Sequence, residues 1–263
     1  MVVLNPDLIE VDSAPLQAIH AAMKSLYRLV IYSPHYSDDD LIQKYLDSSH
    51  RMHDLLAIKN AQMEAQTEEE AERYVLNLRR AFDFIVGEII HDRTFSGVGD
   101  LFRLFRVVSP ETYAMRPSRF RDQLVQVGAH VCPMPAEVPY RIDAFFNRMR
   151  TIRDPIIRAI YTHHELVRIH PFSDGNGRVG RMAKNWILLY ELFPPIYIND
   201  QAEKQEYVRS LADSFEALER SPMSFSEHTH RFFMQEIERL KRSVDFLYDE
   251  VSRRVRVEVP ENE

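Results

Sequence analysis

A single cysteine, Cys132, excludes an intrachain disulfide from this 263-residue chain, and with it the small stapled folds of secreted proteins. No stretch approaches the ~20 consecutive apolar residues that a membrane-spanning helix needs. Basic residues are outnumbered, 33 against 40 acidic, and the net charge of -7 argues against a partner bound through its phosphate backbone. We therefore expect neither nucleic acid nor membrane among the partners. The first thirty residues carry Pro6, Asp7, Glu10, Asp12 and Pro15 instead of a basic start and an apolar run, so a secretion signal is not expected and the cytoplasm is. Internal repeats and low-complexity tracts are also missing. The charged end, "RRVRVEVPENE", is expected to be partly disordered.

Strict alternation of apolar and polar residues is scarce, whereas helical spacing is abundant. Leu16, Ile19, Met23, Leu26 and Val30 form one stripe, Tyr74, Leu78, Phe82, Ile85 and Ile89 a second, and Val138, Ile142, Phe145 and Met149 a third. Asp154 and Pro155 read as an N-cap and a first-turn proline opening a helix that runs to about Ile169. Another helix should begin near Arg178 and pass Trp186 and Leu189 until Pro194 and Pro195 stop it. "QLVQVGAHVC", residues 123 to 132, is the one extended piece, and Gly128 and Ala129 suit the turn of a short hairpin. The expected fold is all-α with this one hairpin.

Glycine is rare, seven in all, yet three fall within "HPFSDGNGRVGR", residues 170 to 181. The stretch connects two predicted helices, with its glycines where the second begins. A helix N-terminus leaves amides unpaired and carries partial positive charge, and glycines let an anion approach the main chain, so the loop suits phosphate. Arg178 and Arg181 share one side of the first turn, with Asn185 one turn on. Two guanidiniums there oppose the helix dipole, so something negative should sit between them. Asp174 offers a hard oxygen of the kind Mg²⁺ takes when phosphates fill other positions. His170 is the group in this stretch that accepts a proton near neutral pH. Together they suggest transfer of a phosphate-linked group from a nucleotide to a hydroxyl, with the attacked phosphorus left open.

The same twelve residues resemble the signature of the Fic family: His-Pro-Phe, a variable residue, Asp or Glu, Gly-Asn-Gly-Arg, and a second Arg three residues on. Every fixed position matches. The resemblance extends from about Tyr74 to Glu219, including "HHELVRI" before the motif and "QLVQVGAHVCPMPAEVP" as the family's flap hairpin. It implies a Fic-like helical core at 71–222 with a β-hairpin flap, an N-terminal helical extension at 1–70, and a C-terminal helix and tail at 223–263. It also implies a protein adenylyltransferase. His170 would deprotonate a Ser, Thr or Tyr hydroxyl of a target protein, which attacks the α-phosphate of ATP. Asp174 would hold Mg²⁺. Gly175, Asn176 and Gly177 would surround the α-phosphate, and Arg178 and Arg181 would hold the β- and γ-phosphates. Pro171 and Phe172 would fix the loop in the core, and the flap would clamp the target by strand-like pairing. Gly177 argues against phosphotransfer, for which family members tend to carry lysine there.

Removal of AMP, transfer of another nucleotide or phosphodiester group, and a non-catalytic nucleotide-regulated module remain alternatives on the same motif. A homodimer is left open. His163 shares a stripe with Ile156, Ile160 and Val167, and reads as structural rather than as a metal ligand with His164 and His170. Tyr207 is weighed equally as a base-pocket residue and as core, and "TEEEAER" at 67–73 as a solvated helix start. Many Fic proteins carry an inhibitory helix with Ser or Thr, three residues, then Glu and Gly or Asn, its glutamate pairing with the second motif arginine. The nearest stretch is "LLAIKNA", residues 55 to 61, with Lys59 in the glutamate's place. If residues 41 to 62 cover the site, the usual brake is expected to be missing, unless another acidic residue such as Glu64 supplies it.

Overall fold

The computed structural model describes residues 2–32, 57–59, 61, 64–117 and 119–257. In chain order these form α1 (Ser13–Tyr32), α2 (Glu68–Ile90), α3 (Val98–Val108), α4 (Pro110–Met115), β1 (Gln126–Val127), β2 (His130–Val131), α5 (Val138–Met149), α6 (Pro155–Ile169), α7 (Asn176–Tyr190), α8 (Gln201–Arg220) and α9 (Glu227–Val257). The two strands pair antiparallel, Gln126 opposite Val131 and Val127 opposite His130, and are the only strands among the described residues. Gly128, at φ 60°, makes the turn between them.

The sequence explains where the helices start. Thr67 Oγ1 accepts the amide of Glu70 at 3.2 Å, making "TEEEAER" an acidic helix start. The carboxylate of Asp154 accepts the amides of Ile156 and Ile157 at 2.9 and 3.0 Å, and Pro155 takes the first turn of α6. α7 begins at Asn176, two residues before the expected Arg178. Gly175 at φ 79° turns the chain so that the helix starts at once. α9 runs through Val257, so the helix continues into residues 253–257, where disorder was expected; residues 258–263 lie outside the described ones.

α6 and α7 make the most extensive helix contact and form the centre. Around them, α2 and α3 pack against α7, α5 against α6, and α9 against α8, α1 and α6. Trp186 is fully buried in α7 and donates its indole N–H to the Arg93 carbonyl at 3.1 Å. The N-terminal arm lies along α6. The Leu4 amide donates to Glu165 Oε2 at 3.0 Å, the Leu4 carbonyl accepts from Tyr161 at 3.0 Å, and Arg168 donates to the Val2 carbonyl at 2.6 Å. Leu4, Ile19, Phe82, Trp186, Phe215 and Val244 belong to one continuous apolar core, so the N- and C-terminal regions share the interior of the central helices.

Candidate active site

Pro171 crowds the residue before it and bars His170 from continuing α6 as a right-handed turn. His170 leaves instead at φ 53° and ψ 61°, a left-handed conformation uncommon for a residue with a Cβ. Its amide still closes on the Leu166 carbonyl at 3.0 Å, and its own carbonyl accepts from Arg121 Nε at 2.7 Å. The imidazole Nδ1 lies 3.4 Å from the Val167 carbonyl, which favours the proton on Nδ1 and leaves Nε2 with a lone pair. Burial pushes the His170 pKa down to about 4, with the Arg121 charge acting the same way and the Val167 bond and Asp174 opposing it. The ring is neutral at pH 7.

The loop after it is fixed by its own side chains. Phe172 lies flat on Phe105, ring centroids 3.7 Å apart. Asn176 spans the turn, its Oδ1 accepting the Phe172 amide and its Nδ2 donating to the Phe172 carbonyl, both at 2.8 Å. Its side chain is therefore committed to the loop, which leaves the main chain of Gly175 to Gly177 to meet an anion. A Cβ at Gly175 would also lie 3.0 Å from Ser109 Cβ and Oγ.

An anion is already seated at the N-terminus of α7. Glu64, just before α2, places Oε1 2.5 Å from Arg181 Nη2 and Oε2 3.0 Å from Arg178 Nε. Oε1 lies so close to the loop that a Cβ at Gly177 would sit 2.6 Å from it. Burial disfavours the charge of the Arg181 guanidinium, but the Glu64 carboxylate and the Tyr207 hydroxyl together outweigh it and raise the pKa. Arg178 Nη1, 3.9 Å from Glu111 Oε1, and Arg181 Nε are buried without a hydrogen-bond partner among the described residues. Asp174 stands at the rim, its side chain 62% exposed, 3.0 Å from Arg178 Nη2.

His170, Asp174, Gly175, Asn176, Gly177 and Arg181 share the wall of one cavity of about 330 Å³ with Glu64. The flap closes one side with Val127 and Gly128, and α8 lines another with Lys204, Tyr207, Val208 and Phe215. Arg178 stands behind this wall. It is 1% exposed, stacks on Tyr74 at 3.7 Å from the ring centroid, and holds Glu64 and Asp174 from the rear.

The Fic/DOC family matches residues 86–188, a span that contains the flap, His170 and the glycine loop. The chain carries a Fic/DOC-family domain. The Protein adenylyltransferase Fic of Nematostella vectensis is 32% identical over 137 residues, covering 51% of this chain and 32% of that relative. This chain therefore matches about a third of the curated relative's length. Among solved structures, a fragment of Fic-1 from C. elegans superposes with a TM-score of 0.64 at 19% identity, over 91% of this chain and 72% of that one. A Fic-domain-containing signaling protein from Bacteroides thetaiotaomicron gives 0.62 at 17% identity, over 91% and 98%. These two share the helical fold.

Several expected residues have other duties. Asn185 is fully buried and accepts the Ile196 amide at 3.0 Å, so it anchors the segment after α7 instead of extending the polar line of the loop. Tyr207 lines the cavity, but its hydroxyl is 2.9 Å from His163 Nε2, and burial pushes its pKa up to about 12. His163 is structural, in contact with Tyr207 and with the backbone where Gly180 lets α7 approach. His164 bonds Glu165 Oε1 at 3.0 Å and Ser214 Oγ at 2.8 Å.

Lys59, aligned with the inhibitory glutamate in the sequence, does not face the arginines. Its ammonium donates to the Asn199 carbonyl, and Glu64, five residues on, faces the arginines. Most of residues 41–62 lies outside the described residues. The sequence obscured this register because Asn60 stands four before Glu64 and Ala65 after it, in place of Ser or Thr and of Gly or Asn. Sequence reasoning missed Arg121 altogether. It lies outside the motif, and no local pattern marks it.

Proposed function

We propose that this chain is a protein adenylyltransferase that moves AMP from ATP to the hydroxyl of a target protein, with His170 as general base. The observation that carries this reading is the single cavity in which a neutral, lone-pair-bearing imidazole adjoins a helix N-terminus whose buried arginines already hold a carboxylate. A helix N-terminus whose arginines already bind one anion is suited to the polyphosphate of a nucleotide.

In the reaction, the target's hydroxyl oxygen bonds the α-phosphorus of ATP as the bond to the β-phosphate bridging oxygen breaks. Pyrophosphate leaves, and the hydroxyl proton passes to His170 Nε2. Main-chain amides of Gly175 to Gly177 stabilise charge on the α-phosphate, and Arg181 orients the terminal phosphates. Arg178 steadies Asp174 from behind. Asp174 suits Mg²⁺: its carboxylate is open at the rim, and this ion takes one or two protein carboxylates with phosphates and waters completing its shell. Bound there, Mg²⁺ would neutralise phosphate charge. The target segment would lie along the flap, residues 123–132, by strand addition, placing its hydroxyl near His170.

Glu64 competes with ATP for the arginines and so restrains the reaction from within the chain. The test is incubation with labelled ATP and Mg²⁺. His170→Ala should lose transfer while keeping ATP affinity, because a base acts on the transition state more than on binding. Wild-type labelling by that variant would overturn the reading.

A further inference from the structure

Arg121 is 3% exposed, and every hydrogen bond of its guanidinium goes to a main-chain carbonyl. Nε donates to His170 at 2.7 Å, Nη1 to Gln123 at 2.7 Å and Nη2 to Pro133 at 2.6 Å. The Arg121 amide donates to the Pro171 carbonyl at 2.9 Å. Gln123 leads into β1 and Pro133 follows β2, so one side chain ties both legs of the flap to the turn that carries the imidazole. No carboxylate pairs with it among the described residues. Burying an unpaired guanidinium is costly, and burial lowers its pKa, so a neutral residue would serve better if the aim were only to fill space. The planar fork does what other side chains cannot: it reaches three fixed acceptors in one plane. It also pins the carbonyl of the left-handed His170, a conformation a free turn would abandon.

We propose that Arg121 is the positioning residue that joins His170 to the flap, setting the distance between the base and a hydroxyl docked on the hairpin. The proposal rests on the adenylyltransferase reading, in which the flap holds the target. Three charged or titratable groups face the His170 imidazole: Arg121 from the pre-flap segment, Asp174 from the glycine loop and His130 from β2. Arg121 thus acts on His170 by geometry and by charge, and two variants separate these. Arg121→Lys keeps the charge and loses the fork, while Arg121→Gln loses both.

The experiment uses the full chain carrying Glu64→Gly, to free the site. Both Arg121 variants should lower kcat by about 100-fold, the cost of misplacing reacting groups by about 1 Å, with KM for ATP within about threefold. Exchange of the His130 and Cys132 amides should quicken by about tenfold in both. By NMR titration the His170 pKa should rise in Arg121→Gln and stay in Arg121→Lys. Unchanged kcat and unchanged flap exchange in folded Arg121→Lys would overturn the proposal, and that variant decides alone if Arg121→Gln does not fold. If the Glu64→Gly parent transfers no AMP, the adenylyltransferase reading fails, while exchange and titration still decide whether Arg121 joins His170 to the flap.

Discussion

At His170, burial lowers the pKa to about 4, which keeps Nε2 free of its proton far below neutrality. A base must be unprotonated to act, so kcat/KM should stay level as pH falls from 7 to about 5 and drop with a midpoint near 4. A rate profile that falls with a midpoint near the ordinary 6.5 would place the essential proton elsewhere. Asp174 and Arg178 separate in the same way by burial. Asp174→Ala, at an exposed rim, should weaken Mg·ATP binding and leave Tm unchanged. Arg178→Ala should weaken Mg·ATP binding indirectly, through Asp174 losing its support, and lower Tm as well, because it removes the stack on Tyr74 and leaves Glu64 held by Arg181 alone. Calorimetry and thermal unfolding on each variant check both, and equal Tm losses would contradict the division.

Among elements, α6, α7 and the flap were legible because local chemistry fixes them: Asp154 with Pro155, Gly175 at a left-handed cap, and Gly128 between two short apolar runs. The segment before α2 was not. Its contacts are long-range, Lys59 to Asn199 and Glu64 to Arg181, and nothing in the local spacing of "LLAIKNAQME" says which residue turns inward. Arg121 was hidden for the same reason, since its partners are carbonyls that any sequence provides. The observed register sets the direction of one substitution's effect. Lys59→Glu would set a carboxylate against the Asn199 carbonyl, lose that anchor and loosen the segment bearing Glu64, so transfer should rise. A fall in labelling rate would mean that position 59 itself faces the arginines.

On the scale of the whole molecule, the centre is unusually polar. His163, His164 and Glu165 are fully buried on α6, and Glu236 on α9 is paired with Lys184 and Arg239. Burial lowers the pKa of His163 and His164 below 6.5, so the unfolded chain binds more protons than the folded one below that value. Stability is then full above pH 6.5 and declines as pH falls, by up to about 1.4 kcal/mol per pH unit for each histidine. Glu236, held down to about 2 against burial by Lys184 and Arg239, adds stability above the ordinary 4.5 that is lost as pH falls towards 2. A Tm that rises on acidification from pH 7 to 5 would contradict this. The account as a whole has one buried site holding an internal carboxylate where a nucleotide's phosphates would bind. Its most direct test is transfer of labelled AMP from ATP and Mg²⁺ by the wild type, by Glu64→Gly and by Glu64→Gly with His170→Ala. The account predicts weak labelling, strong labelling and none, with ATP affinity higher in both variants than in the wild type; equal labelling by the wild type and Glu64→Gly, or labelling that survives loss of His170, would contradict it.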